Sequence, residues 1–296
     1  MADTVGMQDL RGIDIQKLAV GFAEESIILK KFLRQASTSN RELRWFQKTA
    51  GFITGTTTSG ITSSSTLIAN TSEGALPFIR EQSMTRQTSY VRKYFIESPL
   101  FADEDLRDSD PDIWAGNVRD LVRSIEYQIE LRIWDVISES QSAVNINTVA
   151  TNAAWNTASY TGVNIIEDLS DAKLQIRTYG YNPEGAVLLL SPLDHKSLIT
   201  WLIDGKGSSI PAFASQKIQD GIVMEILGLR VIVSTVVTAD YALVMVPESA
   251  VWKAFTPITT AVIEDRGIGT KIRIWEEGEC ILEQPRSVCL ITNTQA

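Results

Sequence analysis

The feature that most constrains this chain is a long helical pattern between Asp110 and Glu139. Asp110 is a suitable N-cap, and Pro111 fits the first helical turn, where a missing N–H costs nothing. At 1.5 Å per residue such a helix spans roughly 40 Å, longer than most globular helices, so it predicts a rigid element. Apolar residues recur at helical spacing: Trp114, Val118, Leu121, Val122, Ile125, Ile129, Ile133, Val136 and Ile137.

The N-terminal part of the chain, residues 1–45, predicts an arm with a helical pattern from Asp14 to Arg34. The stretch from Lys30 to Lys48 carries a single acid, Glu42. A basic arm of this kind can contact nucleic acid or the acidic surface of a neighbour, and a solvated helix face followed by a strand explains the pattern equally well. The basic-arm candidates are Lys30, Lys31, Arg34, Arg41, Arg44 and Lys48.

Residues 46–97 predict an extended β-hairpin that cannot be stable alone. Gly51–Ser65 is rich in Gly, Ser and Thr, and apolar residues flank it on both sides. Arms of about 20 residues reach roughly 65 Å, with both faces half apolar and with open edges. We therefore expect other subunits to bury this hairpin, and a disordered loop within one domain is the alternative. The contact candidates are Trp45, Phe46, Phe52, Leu76, Pro77, Phe78, Tyr90, Tyr94 and Phe95.

After the long helix, the pattern alternates between helices and strands. Residues 164–254 predict a compact α/β module of ordinary domain size, with helices from Ile165 and from Pro192 and with apolar strands broken by Gly228 and Asp240. The tail from Pro257 to Thr292 is β-rich, and we expect it to return and cover the long helix. The predicted fold class is therefore α+β, with the α/β module inserted between the helix and the terminal strands.

The residues that usually carry chemistry do not form a motif. His195 is the one histidine, and it falls in the first turn of a predicted helix, where we expect a surface side chain. Cys280 and Cys289 are the two cysteines, and we interpret them as reduced thiols in strands. The acidic cluster from Asp103 to Asp112 lacks the Gly and Glu of a calcium loop, so charge at the helix entry is favoured. The acidic run of Glu276, Glu277 and Glu279 around Gly278 predicts a charged hairpin turn. We predict no catalytic residue, no metal and no cofactor.

Composition narrows the partner classes. The 296 residues carry a net charge of −9, which argues against tight general binding of nucleic acid. The first ten residues lack the apolar core of a secretory signal, and no apolar run approaches the roughly 20 residues that cross a bilayer. These observations predict a soluble protein made inside the cell.

The order of these parts resembles the major capsid proteins of tailed double-stranded DNA viruses, which share the Hong Kong ninety-seven type fold. The local likeness is clearest in Glu73-Gly74-Ala75-Leu76-Pro77, in the strand Tyr90–Glu97, and in Ser98-Pro99-Leu100 followed by Glu104-Asp105-Leu106. A further likeness lies in Gly228–Ser234. The resemblance covers nearly the whole chain in element order.

This resemblance implies a viral capsid fold with an N-terminal arm (1–45), an extended β-hairpin loop (46–97), a peripheral domain (98–163 and 255–296) with its spine helix at 112–139, and an axial domain (164–254). It implies hexamers and pentamers of the chain in an icosahedral shell that encloses DNA without sequence-specific binding. Because fewer than fifty residues precede the hairpin, we expect a separate scaffolding protein or none. A portal and a decoration protein are further expected partners, and the virion is the expected location after assembly in the host cytoplasm.

Two other functions stay open at this point. The first is an encapsulin-type nanocompartment shell, which uses the same fold to hold a cargo enzyme. The second is an enzyme built on the 164–254 module, with the first half of the chain as an oligomerisation arm. The absence of a second titratable residue in any motif with His195 argues against the enzyme.

Overall fold

The computed structural model describes the following residues: 19–23, 28–48, 56–57, 60–61, 73–74, 84–102, 111–141, 144–157, 160, 162–205, 225–265 and 267–296.

Three α-helices of the described residues agree with the sequence pattern. Helix α1 (Pro111–Ile137) is the predicted long helix, and it ends two residues before Glu139. Helix α2 (Ile165–Thr178) follows, and α3 (Pro192–Thr200) continues into a π-helical turn, Trp201–Gly205. Ser191 caps α3 by accepting a hydrogen bond from the Asp194 backbone N–H at 3.1 Å, which satisfies one of the free amide groups at the start of the helix.

Most strands lie where the sequence is β-rich, but the first begins at Arg34, the last residue of the stretch with a helical pattern. Their bounds are β1 (Arg34–Ser37), β2 (Glu42–Gln47), β3 (Thr56–Thr57), β4 (Gly60–Ile61), β5 (Thr85–Tyr90), β6 (Arg92–Glu97), β7 (Phe101–Ala102), β8 (Asn147–Ala150), β9 (Val187–Leu190), β10 (Glu225–Ile226), β11 (Leu229–Val233), β12 (Tyr241–Met245), β13 (Ala250–Asp265), β14 (Gly269–Leu282) and β15 (Val288–Thr292).

One sheet, which we call the long sheet, is built around a hairpin of β13 and β14. Its order is β1-β13-β14-β6, and β7 pairs with the start of β14. Gly267 turns the hairpin with a φ of +77°, a conformation that suits glycine. The strand β1 runs parallel to β13, so a short piece of the N-terminal segment forms one edge of this sheet.

The second sheet, which we call the module sheet, has the order β10-β11-β9-β12-β15-β8. Strands β8 and β15 come from the two segments, 98–163 and 255–296, that the sequence-based division assigns to the peripheral domain, and they pair within the module sheet. The physical reason is the composition of β15. Its first four residues are all buried, which suits a strand with neighbours on both sides and both faces covered.

The module sheet separates two hydrophobic clusters. Alternate residues of β9, Val187 and Leu189, belong to the cluster that contains the buried stripe of α1. Leu188 and Leu190 point the other way and belong to the cluster of α2 and α3, because side chains alternate along a strand. Strand β14 packs on α1, and Val288 of β15 belongs to the same cluster, so the predicted return of the β-rich tail to the long helix is confirmed.

The acidic residues predicted to form a charged hairpin turn lie in the middle of β14 instead. Glu276, Glu277 and Glu279 are all buried, and β14 pairs with β13 on one side and with β6 on the other. The sequence-based prediction of a turn is therefore wrong. A buried carboxylate needs a counter-charge, and cations from other segments of the chain provide it here.

Candidate subunit-contact surface

Strands β2 and β5 form a two-stranded ribbon at the base of the predicted hairpin. The pairing is antiparallel from Glu42 opposite Tyr90 to Gln47 opposite Thr85. One face of the ribbon lies on the long sheet, where the Trp45 indole N–H donates to the Leu282 carbonyl at 3.0 Å. Trp45 is therefore partly buried by its own chain.

The other face of the ribbon is exposed and carries two large aromatic side chains. Phe46 is 63% exposed and Tyr90 is 66% exposed. Arg86 lies directly opposite Phe46, and Arg44 lies between the two aromatic positions, where it forms an ion pair with Glu42 at 2.6 Å. This face combines apolar area with positive charge, a composition typical of contact surfaces between proteins.

The candidates on β6 divide between the two faces of the long sheet. Tyr94 packs against the α1 cluster, and burial raises the pKa of its phenol to about 12. Phe95 points outward with 50% exposure, and its ring centroid lies 6.3 Å from that of Trp275. The Lys93 ammonium lies 5.1 Å from the centroid of the Phe95 ring. Phe95 is therefore a third exposed aromatic side chain beside Phe46 and Tyr90, and Tyr94 belongs to the core.

The basic candidates of the arm mostly pair with acids of the same chain. Arg34 lies 3.0 Å from Glu283, and Arg41 lies 3.2 Å from Glu277 and over the ring of Phe255. Lys31 is exposed, and the Lys48 backbone N–H donates to the Glu283 carbonyl. The segment is thus bound to the long sheet through its charges.

The three acids of β14 receive cations from three parts of the chain. Glu277 forms ion pairs with Arg41 of the arm and with Lys93 of β6, whose Nζ lies 3.7 Å from Glu277 Oε1. Glu279 forms ion pairs with Arg132 of α1 at 2.6 Å and with Arg92 of β6 at 3.3 Å. Glu276 receives the lysine described next. The strand β14 is therefore the common anchor of the arm, of the ribbon side of the chain and of the long helix.

Lys30 is buried and lies between two carboxyl groups. Its Nζ donates to Glu276 Oε1 at 2.5 Å and lies 3.8 Å from Glu126 Oε2 on α1. One turn along α1, Glu130 accepts from the backbone N–H groups of Ile28 and Leu29, the latter at 2.8 Å. We name Lys30, Glu126, Glu130 and Glu276 the Lys30 cluster.

Sequence reasoning identified Lys30 as a basic residue and missed its acidic partners on the helix. A signal for them exists, because Glu126 and Glu130 are four residues apart beside Ile125 and Ile129 on the apolar stripe of α1. A carboxylate at helical spacing within a buried stripe predicts a cation arriving from elsewhere in the chain.

Several predicted candidates lie outside the described residues, so their placement stays a prediction. These are Phe52, Leu76, Pro77, Phe78 and the acidic residues from Asp103 to Asp110.

The remaining groups with possible chemistry lie apart from this surface. His195 is half-buried, which differs from the expected surface position, and burial lowers the pKa of its imidazole. Cys280 and Cys289 are free, buried thiols in strands, as predicted. Among the described residues, no group of three His, Cys, Asp or Glu side chains is arranged to hold a metal ion. Within the same residues no helix has both the length and the apolarity that a membrane crossing needs.

The fold matches many solved structures. The cyanophage P-SCSP1u capsid superposes with a TM-score of 0.64 at 12% identity, covering 90% of this chain and 88% of that one. A structure from Mycobacterium phage Che8 gives 0.61 at 13%, covering 91% and 92%. The virus-like particle from Pyrococcus furiosus gives 0.60 at 10%, covering 95% and 99%. These likenesses establish the fold of capsid proteins.

The sequence itself gives the family. It matches no curated protein. Residues 100–289 match the model of a family described as phage capsid protein, and this range holds all of α1, the long hairpin of β13 and β14, and the module sheet except the end of β15. This range covers more than half of the chain. The chain therefore belongs to the phage capsid protein family, as a structural protein of the virion shell.

Proposed function

We propose that this chain is the major capsid protein of a tailed phage. In this proposal hexamers and pentamers of the chain close into an icosahedral shell around a double-stranded DNA genome. The family match and the shared capsid fold support it. The net charge of −9 fits a shell that encloses DNA without binding a particular sequence.

The observation that carries the proposal is the exposed face of the ribbon. Phe46 and Tyr90 are large aromatic groups that expose well over half of their surface, on the face of the ribbon that points away from the long sheet. Removing such area from water is favourable, at roughly 25 cal/mol per Å² of apolar surface. A neighbouring copy of the chain that lies over this face would bury both rings and pair with Arg44 or Arg86.

The parts of the chain then have distinct roles. Residues 164–254 form the axial domain around the fivefold and sixfold axes, and α1 is the spine of the peripheral domain. The part of residues 46–97 beyond the ribbon extends over an adjacent subunit, with Phe52, Leu76, Pro77 and Phe78 as further contacts. Phe95 adds an exposed contact on β6, which itself stays in the long sheet. A scaffolding protein, a portal and a decoration protein are the expected partners, and assembly takes place in the host cytoplasm.

The family match favours a phage capsid over an encapsulin-type compartment. We further propose that the chain has no enzymatic activity. Both thiols are fully buried, and His195 forms no hydrogen bond through Nε2 within the described part of the chain. Burial raises the pKa of both thiols and so keeps them protonated, and within the described residues no hydrogen bond to Nε2 prepares the imidazole to act as a base.

The experiment is to express the full chain and to examine it by negative-stain electron microscopy and sedimentation velocity. The expected result is closed shells or rings of five and six subunits, with the chain running far above its monomer mass of 32.7 kDa. A stable monomer at high protein concentration, with or without a co-expressed scaffolding protein, would contradict the proposal.

A further inference from the structure

The Lys30 cluster contains a buried carboxyl group, that of Glu126, which accepts no hydrogen bond from the described part of the chain. Glu126 is 1% exposed, and neither of its oxygens accepts a hydrogen bond from the described residues. Glu276 Oε2 is in the same situation. A buried carboxylate in this state costs free energy, whereas a protonated Glu126 can donate to Glu276 and relieve it.

The charges around Glu126 come from three elements. Lys30 of the arm is the cation, Glu276 comes from β14, and Glu130 lies one turn away on the same helix. Lys31 also acts on Glu130 from the arm. Burial raises the pKa of Glu126, Lys30 lowers it, and Glu276 and Glu130 raise it, so that the pKa is about 8 when all of these effects act together. Lys30 is therefore the one cation of the cluster beside several buried acids. The net charge of the cluster depends on whether Glu126 is protonated.

We propose that the Lys30 cluster is a proton-controlled clamp on the N-terminal segment. With a proton on Glu126, Lys30 and Glu276 form a balanced pair, and residues 28–37 stay docked between α1 and β14. When Glu126 loses its proton, the cluster gains an uncompensated buried negative charge, and the docked segment opens. This device is separate from shell formation, since all of its groups belong to one chain.

The arm is the element that opens, because the helix and the strand that it contacts are longer and make more hydrogen bonds. Glu126 lies on a helix of 27 residues whose stripe fills the core, and Glu276 lies in a strand of 14 residues paired on both sides. The arm segment consists of a 3₁₀ turn of four residues and the four-residue strand β1. Elements with the fewest hydrogen bonds and the least buried area open first.

Hydrogen exchange of the full chain tests this clamp. Amide exchange in residues 28–37 is measured from pH 6.5 to 9, and the rate in the native protein is divided by the rate in Glu126→Gln at the same pH. The division removes the intrinsic pH dependence of exchange, and Gln imitates the protonated acid. We expect this ratio to rise by about tenfold or more between pH 6.5 and 9, because Glu126 ionises across this range.

Matched variants keep the test decisive. Glu264→Gln removes an exposed acid near the end of β13, and it should leave the pH response unchanged. Lys30→Met removes the cation and should speed exchange of the arm about tenfold at pH 6.5, whereas the exposed Lys196→Met should not. A ratio that stays flat from pH 6.5 to 9, or equal protection of the arm in the two lysine variants, would overturn the clamp.

Discussion

Arg132 of the long helix donates two hydrogen bonds to one carboxylate oxygen of Glu279, from Nε at 2.9 Å and from Nη2 at 2.6 Å. Glu279 is fully buried in the middle of β14, and Arg92 approaches its second oxygen at 3.3 Å. One acid thus joins the helix, the central strand and the strand that leads from the ribbon. We regard β14 as the element that transmits the position of the ribbon to the body of the subunit.

Replacing Arg132 with Met should destabilise the subunit by about 3 kcal/mol, because a buried carboxylate then keeps one distant partner. Chemical denaturation of the unassembled chain measures this change. Arg123→Met is the matched control, since Arg123 is exposed on the same helix. Equal stabilities of the two variants would show that the Glu279 pair does not hold the helix to β14.

Gly278 should tolerate no side chain. A Cβ atom at this position would lie 2.4 Å from Cζ2 of Trp252, a fully buried ring in the core. We expect Gly278→Ala to cost about 1–3 kcal/mol through overpacking. Gly116→Ala in α1 is the control, because nothing lies within 4 Å of its Cβ, and it should stabilise the chain by about 0.5–1 kcal/mol. Thermal unfolding compares the two, and a harmless Gly278→Ala would contradict the close contact with Trp252.

Glu126 should make the subunit less stable as the pH rises. The pKa of Glu126 is about 8 in the folded chain against the ordinary value of 4.5, so the folded state holds a proton that the unfolded state has released. Stability from this group is complete below pH 4.5 and is lost progressively up to pH 8. Unfolding midpoints of the native chain and Glu126→Gln should therefore diverge across that window and run parallel above it. Parallel midpoints from pH 5 to 8 would contradict the raised pKa.

The periodic parts of the fold could be predicted from the sequence. The apolar stripe of α1 persists over many turns, so its bounds differ from the prediction by a residue or two at each end. Ser191 and Asp194 identify the start of α3 through local hydrogen bonds that need no distant partner. Such elements are determined within a short stretch of chain, and a sequence contains that information directly.

The long-range pairings could not be predicted. An acidic run such as Glu276–Glu279 usually lies in a solvated turn, and its burial here depends on Lys30, Arg41 and Arg132, which are far away in the sequence. The placement of β15 likewise depends on pairing with β12 and β8, which are distant in the sequence. The exposed ribbon face was predicted as a contact surface, but Trp45 and Tyr94 had the same composition signal and pack within their own chain.

The two cysteines and the histidine should be dispensable for assembly. Burial raises the pKa of both thiols, so labelling by a thiol reagent should occur only after unfolding. The triple variant His195→Gln, Cys280→Ala, Cys289→Ala should form the same particles as the native chain, with lower thermal stability from the two lost core sulfurs. An enzymatic activity that disappears in this variant would favour the enzyme interpretation.

The ribbon variant Phe46→Ser, Tyr90→Ser should assemble poorly while each subunit keeps its stability, because both rings are exposed in the single chain. Sedimentation velocity should show loss of the particle peak, and unfolding of the monomer should be unchanged. Val144→Ser, at a position 74% exposed outside the ribbon, is the control and should assemble normally. Normal particles from the ribbon variant would remove this face from the interface.

The most direct test of the central claim is a cryo-electron microscopy reconstruction of particles formed by the native chain. We predict a closed shell in which an adjacent subunit covers Phe46 and Tyr90. A closed shell that leaves both rings in solvent, or particles without fivefold and sixfold clusters of the chain, would contradict the account.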